Sequence, residues 1–209
     1  MKTGKPRQPE AGAFFMLNAG QETRRRLVKS GAAGYVWIVG KEKFMLLTNE
    51  NMAAKLVKIL AENKFTITLA ESCTAGLVSS LLVRTPGASS VFWGGFVTYT
   101  LEAKQRVLGI DAEMLNKYHA VSRECACAMA ESARAIADST LGLSITGLAG
   151  PQDDGYGTLI GTVWIAGAYS GVPTYARLYR FKGGRNKIRA KAAAAALRFG
   201  FDLTRHIVE

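Results

Sequence analysis

The sequence predicts an α/β fold, a three-layer αβα sandwich with a mixed central sheet and helices on both faces. From residue 51 onward, stretches with helical periodicity alternate with short apolar stretches typical of buried strands. Two strands run directly into turns rich in glycine or hydroxyl side chains, at 70–76 and 146–151, and open sheets usually bind ligands at such strand ends. Two further strands, at 161–166 and 175–181, are joined by a short turn. They predict an antiparallel hairpin, which makes the sheet mixed.

Length and composition limit the function classes. The 209 residues suit one domain with an appendage, and 48% of them are hydrophobic. No apolar run approaches the length of a membrane span. The net charge of +11 is spread along the chain without interleaved aromatic residues, and an anionic small substrate explains a local basic cluster as well as nucleic acid does. We expect a soluble, cytoplasmic protein with a small-molecule substrate and no membrane or nucleic-acid partner.

The cysteines and histidines predict neither a disulfide framework nor a metal site. Cys73, Cys125 and Cys127 are odd in number, and the last two face different directions on a predicted helix. His119 and His206 lie far apart, with no CxxC or HxxxH spacing. We therefore interpret the helical cysteines as packing residues in a reducing compartment.

Residues 1–50 are interpreted as an N-terminal extension of unknown role, and residues 51–209 as the main domain. The extension has no pattern that links it to the regular alternation of the main domain. Partial disorder of this segment, or a natural translation start at Met45 or Met52, are alternatives that the sequence leaves open.

The first half of the chain predicts these elements in order. Apolar stretches at 35–39 and 44–48 indicate a hairpin, and the arginines at 24–26 fit a solvated turn or helix face. A helix from 51 to 64 follows, and then a strand at 65–69.

The second half alternates helices and strands. A helix at 77–82, a strand at 96–99 and a short helix at 100–109 precede a long helix at 123–138, which Ser122 caps. The core face of the long helix is predicted to carry Cys125, Met129, Ala133 and Ile136.

The terminal helix at 191–207 is rich in alanine, and residues 183–189 open it. Small side chains allow close packing on a sheet or on a partner, so we expect a homo-oligomer, with a dimer favoured. Arg185 and Arg189 are four residues apart, on one face near the start of this helix, which suits a phosphate.

Ser72 is the first candidate nucleophile. It follows the strand at 65–69 and precedes an apolar helix, where unpaired N–H groups and the helix dipole stabilise an oxyanion or phosphate. Ser72 or Thr74 acting as a simple helix cap is the alternative. Cys73 is a rival nucleophile, because a thiol near a helix start can have a lowered pKa.

Lys104 is the candidate general base. It lies in the first turns of the predicted helix at 100–109, where the dipole disfavours an ammonium, so a partly buried lysine there tends toward a lowered pKa. The alternative is a solvated surface lysine. Asp153 and Asp154 are interpreted as turn formers rather than as paired acids.

A series of blocks in family order resembles the C-terminal domain of the competence-damage-inducible protein CinA and its stand-alone bacterial relatives, which are nicotinamide-nucleotide amidohydrolases. The resemblance spans about residues 52–205. The blocks are AESCTAG at 70–76, PGASS at 86–90, GFVTY at 95–99, EAK at 102–104, AVS at 120–122, ITGLAGP at 145–151 and GTVW at 161–164.

The resemblance implies an enzyme of pyridine-nucleotide salvage that deamidates nicotinamide mononucleotide to nicotinate mononucleotide and ammonia, without a cofactor. It implies a serine nucleophile, a lysine base and a tyrosine that helps relay the proton, together with two backbone N–H groups as an oxyanion hole. By position the serine is Ser72, the lysine Lys104 and the tyrosine Tyr99, and the two N–H groups are those of Cys73 and Thr74. The resemblance also implies a nucleotide pocket with Arg185 on the phosphate. The residues lining this pocket would be Ser89, Ser90, Thr146 and Gly147.

The sequence departs from the family pattern near the predicted site. Ala75 stands where glycine is usual, Thr100 and Leu101 replace a Ser-Asn pair, and the loop at 152–160 loses the usual Gly-Gly-Ser and Lys-Pro features. His119 also replaces a usual glycine, which we interpret as a different loop. The departures leave a second hypothesis, a catalytically degenerate member that binds a nucleotide or nucleic acid.

Overall fold

The computed structural model describes residues 26–29, 35–38 and 40–209, with side chains from residue 51 onward. The chain divides into two compact units, Met1–Lys43 and Phe44–Glu209. The strands are β1 (Arg26–Lys29), β2 (Tyr35–Ile38), β3 (Ile67–Glu71), β4 (Phe92–Val97), β5 (Leu141–Gly147), β6 (Thr162–Tyr169) and β7 (Tyr175–Arg180). The helices are α1 (Gly40–Glu62), α2 (Leu77–Val83), α3 (Leu101–Leu108), α4 (Ala112–Tyr118), α5 (Arg123–Ala137) and α6 (Arg185–Val208).

The second unit is built on a five-stranded sheet with the order β4-β3-β5-β6-β7. β3 runs parallel to β4 and β5, whereas β6 runs antiparallel to β5 and β7. The predicted mixed sheet and its terminal hairpin are therefore confirmed. Because three parallel strands share one direction, the carboxyl ends of β3, β4 and β5 lie at the same edge.

Helices cover both faces of this sheet, as predicted. Ile67 and Leu69 of β3 point into a core shared with α1, α2 and α6, and Ala70 of the same strand points into a second core with α3, α4 and α5. The alternation follows from the two-residue period of a strand. Helix α5 packs so closely that a Cβ at Gly142 would collide with the Ala130 carbonyl.

The N-terminal hairpin differs from the prediction. β2 pairs with β1 rather than with residues 44–48, which lie inside α1. A short apolar run does not distinguish helix from strand by periodicity alone, and here the run continues an adjacent helix toward its N-terminus. Arg26 begins β1 instead of a turn or helix face, and Arg24 and Arg25 lie outside the described residues.

The other elements are confirmed with shifted boundaries. β4 begins at Phe92, before the predicted start, and α4 was not predicted. Ser122 caps α5 by accepting from Cys125 N–H at 3.1 Å. Ile136 is 49% exposed rather than buried, because the face that contains positions 125, 129 and 133 continues at 137 in steps of four.

The small residues of α6 pack inside this chain. The helix begins at Arg185, and Ala192, Ala193 and Ala196 are fully buried in the core beside the sheet. Its alanine content is thus explained without a partner, and the oligomeric state stays a prediction. Within the described part of the chain, no helix is long and apolar enough to span a bilayer.

Candidate active site

Two of the three predicted catalytic residues, Ser72 and Lys104, meet at the carboxyl edge of the parallel strands. Ser72 follows β3 directly, Thr98 follows β4, and α3 brings Lys104 back toward both of them. The Ser72 N–H donates to the Ile145 carbonyl of β5 at 2.9 Å. Three consecutive parallel strands thereby fix the backbone on which the site is built.

The turn after β3 leaves the Ser72 side chain free of any capping role. Residues 72–76 form a turn, in which Ala75 has φ 49° and Gly76 has φ 86°, and α2 begins only at Leu77. The predicted start of this helix at 77 is therefore confirmed, whereas the alternative in which Ser72 or Thr74 caps it is wrong. Left-handed φ favours glycine, so the alanine at 75 holds a strained backbone there.

Glu71 caps α2 in place of the predicted serine or threonine. Its buried carboxylate accepts from the N–H groups of Val78 at 3.1 Å and Ser79 at 2.8 Å, and from the Ser79 hydroxyl at 2.7 Å. A carboxylate at this end also complements the helix dipole. The first N–H groups of α2 are thus paired within the protein, so an oxyanion or phosphate would have to bind the N–H groups of the turn before the helix instead.

Lys104 is fully buried and contacts the serine. Its Nζ lies 3.0 Å from Ser72 Oγ and donates to the Thr98 carbonyl at 2.7 Å. Burial lowers the pKa of the Lys104 ammonium, since desolvation disfavours the charged form. The solvated-lysine alternative is therefore wrong. Thr100 caps α3 by accepting from Ala103 N–H at 3.0 Å, which fixes where the helix starts.

The turn also supplies candidate oxyanion donors. Among the described residues, the backbone N–H groups of Cys73 and Thr74 donate to no other residue, and the buried Thr74 hydroxyl has no partner. Both N–H groups directly follow Ser72, and backbone N–H groups of this kind form the oxyanion holes of acyl-transfer enzymes. Burial raises the pKa of the Cys73 thiol to about 12, so the thiolate is scarce and Cys73 is a poor rival to Ser72.

Arg189 holds this turn from the other side. Its Nε donates to the Cys73 carbonyl at 3.0 Å and its Nη2 to the Thr74 carbonyl at 2.9 Å, while Nη1 lies 3.5 Å from Asn186 Oδ1. Fixing the two carbonyls fixes the orientation of the adjoining peptide planes. The predicted phosphate role of Arg189 does not fit these contacts, because its donors already face protein acceptors.

Tyr99 and Arg185 form an exposed, hydrogen-bonded pair next to the loop that follows β5. Arg185 Nη2 donates to the Tyr99 hydroxyl at 2.6 Å, and Nη1 donates to the Gly150 carbonyl at 2.7 Å. In the described structure no hydrogen bond joins Tyr99 to Ser72 or Lys104, so the predicted proton relay through Tyr99 is not supported by its contacts. Arg185 is exposed, and its role on a phosphate stays a prediction.

Ser89 and Ser90, two further residues predicted to line the pocket, lie at the amino ends of the parallel strands, at the opposite edge of the sheet from Ser72. Ser89 and Ser90 are exposed in a 3-10 turn that precedes β4. The adjacent Val91 carbonyl accepts from Ile67 N–H, at the start of β3, at 2.7 Å. Ser72 follows the far end of this five-residue strand, about 16 Å away at 3.3 Å per residue. The prediction that these serines line the pocket around Ser72 is therefore wrong.

Thr146 and Gly147 end β5 at the same edge of the sheet as Ser72, but the Thr146 side chain is already hydrogen-bonded within the protein. The buried Thr146 hydroxyl donates to the Ala120 carbonyl at 2.6 Å, so it tethers the loop before α5, and its role in a pocket stays a prediction. Gly147 ends the strand beside the site, where a side chain would collide with Thr162 and Val163. Its role in the pocket stays a prediction.

Several features of the site were missed by sequence reasoning. The Glu71 cap had a local signal, since a carboxylate shortly before a helix start is a common cap. The Arg189 contacts had none, because they join positions 116 and 115 residues apart. A ring stack between His119 and Tyr156 also went unpredicted; their centroids lie 3.6 Å apart with an interplanar angle of 13°.

Comparison with known proteins gives one consistent result. The family model for the CinA C-terminal domain matches residues 49–203. A CinA-like protein of Thermotoga neapolitana is 39% identical over 163 residues, which are 78% of this chain and 39% of that protein. The chain thus spans about two fifths of the length of this relative.

Solved structures agree with the sequence matches. A CinA superfamily protein of Klebsiella pneumoniae has a TM-score of 0.73 at 29% identity, covering 76% of this chain and 98% of its own. One from Escherichia coli has a TM-score of 0.71 at 34% identity, covering 75% of this chain and 89% of its own. The α/β fold with a mixed sheet is therefore shared with these neighbours.

Proposed function

We propose that this chain, which belongs to the CinA C-terminal domain family, is a serine amidohydrolase that converts nicotinamide mononucleotide to nicotinate mononucleotide and ammonia. The observation that carries the proposal is the 3.0 Å contact between Ser72 Oγ and the buried Lys104 Nζ. The names of the relatives state no substrate, so the nucleotide is proposed from the sequence motifs. We also propose a cytoplasmic setting and a homo-oligomer.

In the first half-reaction, neutral Lys104 takes the proton from the Ser72 hydroxyl as Oγ attacks the carboxamide carbon. The Thr98 carbonyl keeps one Nζ hydrogen occupied at 2.7 Å, which orients the nitrogen lone pair toward the serine. The carbonyl oxygen becomes an oxyanion that accepts hydrogen bonds from the N–H groups of Cys73 and Thr74. Lys104 then returns the proton to the departing nitrogen, which leaves as ammonia and gives an ester on Ser72.

In the second half-reaction, water replaces ammonia. Lys104 takes a proton from the water as its oxygen attacks the ester carbon, and the same N–H groups receive the oxyanion. Collapse of this intermediate breaks the bond to Ser72 Oγ, which takes the proton back from Lys104. The acid that is released passes its proton to ammonia, which gives the carboxylate and ammonium, and no redox step or cofactor is needed.

The contact between Ser72 and the buried Lys104 argues against the second hypothesis, a family member that binds a nucleotide without catalysing a reaction. A lysine that is fully buried against a serine costs stability, because its ammonium is desolvated. Loss of catalysis would remove the reason to keep that cost. Turnover separates the two hypotheses: a protein that binds nicotinamide mononucleotide but releases no ammonia would be the non-catalytic one.

The test compares Ser72→Ala with Cys73→Ala in an ammonia-release assay on nicotinamide mononucleotide. We expect Ser72→Ala to lose at least a thousandfold in kcat and Cys73→Ala to keep most of its activity, since the thiol has a pKa of about 12. Cys73→Ala is the matched control, because it changes the neighbouring buried side chain. Activity that survives the first substitution but not the second would refute the serine mechanism.

A further inference from the structure

A small cavity lies next to the first residue of α3, the helix that carries Lys104. It has a volume of about 170 Å³. Leu101, which begins α3, stands three residues before Lys104, about 4.5 Å along the helix axis. The Ala120 carbonyl, also in the cavity wall, accepts from Thr146 at the end of β5. The lining residues are Leu101, His119, Ala120, Val121, Asp154 and Tyr156.

The cavity wall contains a stacked pair of aromatic rings. The ring centroids of His119 and Tyr156 lie 3.6 Å apart. The Ser122 hydroxyl donates to the His119 carbonyl at 2.9 Å, and Asp154 Oδ1 accepts from Tyr156 N–H at 3.0 Å. These bonds position the backbone of both residues, and the Tyr156 side chain is 61% exposed and thus accessible to a ligand.

The cavity also carries one negative charge. Partial burial acts to raise the pKa of the Asp154 carboxyl, but hydrogen bonds from Thr158 and Tyr156 hold it below its usual value. The carboxylate is thus ionised at neutral pH. The N–H groups of Tyr156 and Thr158 donate to Asp154 Oδ1 at 3.0 and 3.3 Å, which fixes the carboxylate in the cavity wall.

Resting on the proposed function, we infer that this cavity is a subsite for the cationic pyridinium ring of the substrate, with the His119–Tyr156 stack and Asp154 as its specificity determinants. The cavity volume of about 170 Å³ fits a single six-membered ring, because an apolar cavity of about 150 Å³ holds benzene. Position supports it because the reacting carboxamide is attached directly to the ring, and Lys104 lies one helical turn from Leu101. Charge supports it because aromatic faces and a carboxylate both attract a cation.

The experiment measures binding without turnover in the Ser72→Ala protein by titration calorimetry at low salt. The probes are nicotinamide mononucleotide, its reduced form with a neutral, non-planar ring, and ribose 5-phosphate. We expect Tyr156→Ala to weaken binding of the oxidised nucleotide about tenfold and Asp154→Asn about threefold. The reduced nucleotide should lose less than twofold with Asp154→Asn, and ribose 5-phosphate should respond to neither substitution.

Matched controls come from the same loop. Asp153→Asn removes a neighbouring exposed carboxylate that makes a similar turn contact to Gly155 at 2.9 Å, and Leu159→Ala removes a side chain that is 65% exposed. Neither residue lines the cavity, so both variants should bind like the parent. Asn at 154 keeps an oxygen acceptor for the loop N–H groups, which protects the fold.

The outcomes separate the subsite from the proposed function. If the unmodified chain releases ammonia but the cavity variants bind like the controls, the subsite is refuted and the amidohydrolase stands. If no ammonia is released while oxidised nucleotide still binds through Tyr156 and Asp154, the reaction is refuted and the subsite stands. Equal losses for the oxidised and reduced nucleotides on Asp154→Asn would refute the role of ring charge.

Discussion

Replacing Lys104 with methionine tests the buried base through both stability and rate. Methionine has a similar length and no charge, so it removes the Nζ contacts to Ser72 at 3.0 Å and to Thr98 at 2.7 Å while filling the same space. Loss of the general base is expected to lower kcat by a factor of about 10² to 10⁴. The exposed Lys55→Met on α1 is the matched control for losing a lysine charge.

The stability effect has a defined sign and slope. The lysine in the unfolded chain ionises near the ordinary 10.5, and burial lowers the pKa in the folded chain. Between these two values the unfolded state binds more protons, so the free energy of unfolding rises with pH. The rise relative to Lys104→Met reaches up to about 1.4 kcal/mol per pH unit within that window. Below the folded pKa and above 10.5 the two curves should run parallel.

The assay is urea unfolding followed by tryptophan fluorescence at pH values from 6 to 10. The unmodified chain should gain stability over Lys104→Met as pH rises, whereas Lys55→Met should show no such pH-dependent difference. Parallel curves for the unmodified chain and Lys104→Met across this range, together with unchanged ammonia release, would refute the buried base.

Three smaller predictions concern the turn that carries the nucleophile. Arg189→Met should lower kcat about tenfold with little change in KM, and Arg189→Lys should recover part of the loss, because the guanidinium orients the carbonyls of the turn and does not bind substrate; a purely raised KM would contradict this. Glu71→Ala should cost about 2 kcal/mol in urea unfolding, since three donors at the start of α2 lose their acceptor; a loss below about 0.5 kcal/mol would count against the cap. Ala75→Gly should raise Tm by about 2 °C, because it relieves the φ of 49° by about 1 kcal/mol, and an unchanged or lower Tm would show that this alanine is unstrained.

Much of the fold and the catalytic pair could be predicted because their signals are local. The strand and helix periods, the turn after β3 and the Ser122 cap of α5 lie within short stretches, and the predicted sheet, its terminal hairpin and this cap are confirmed. Ser72 and Lys104 could be paired through the family resemblance, since both follow strands that end at one edge of the sheet.

The rest depended on tertiary contacts that a linear pattern does not encode. Arg189 contacts the turn at Cys73, 116 residues before it in the sequence, and no local pattern encodes such a contact. Its spacing of four residues from Arg185 predicts a phosphate site instead, which the contacts of Arg189 do not support. Ser89 and Ser90 belong to a motif, but a motif does not say at which edge of the sheet it lies. The apolar residues 44–48 have a composition that also suits a strand, but they lie inside α1 because the helix at 51–62 continues through them.

The pH dependence of kcat/KM for ammonia release from nicotinamide mononucleotide tests the central claim most directly. A buried lysine that must be neutral to activate Ser72 predicts a rising limb with an apparent pKa below 10.5, which the residual activity of Lys104→Met lacks. A limb at or above 10.5, the same limb in Lys104→Met, or no ammonia at any pH would contradict it.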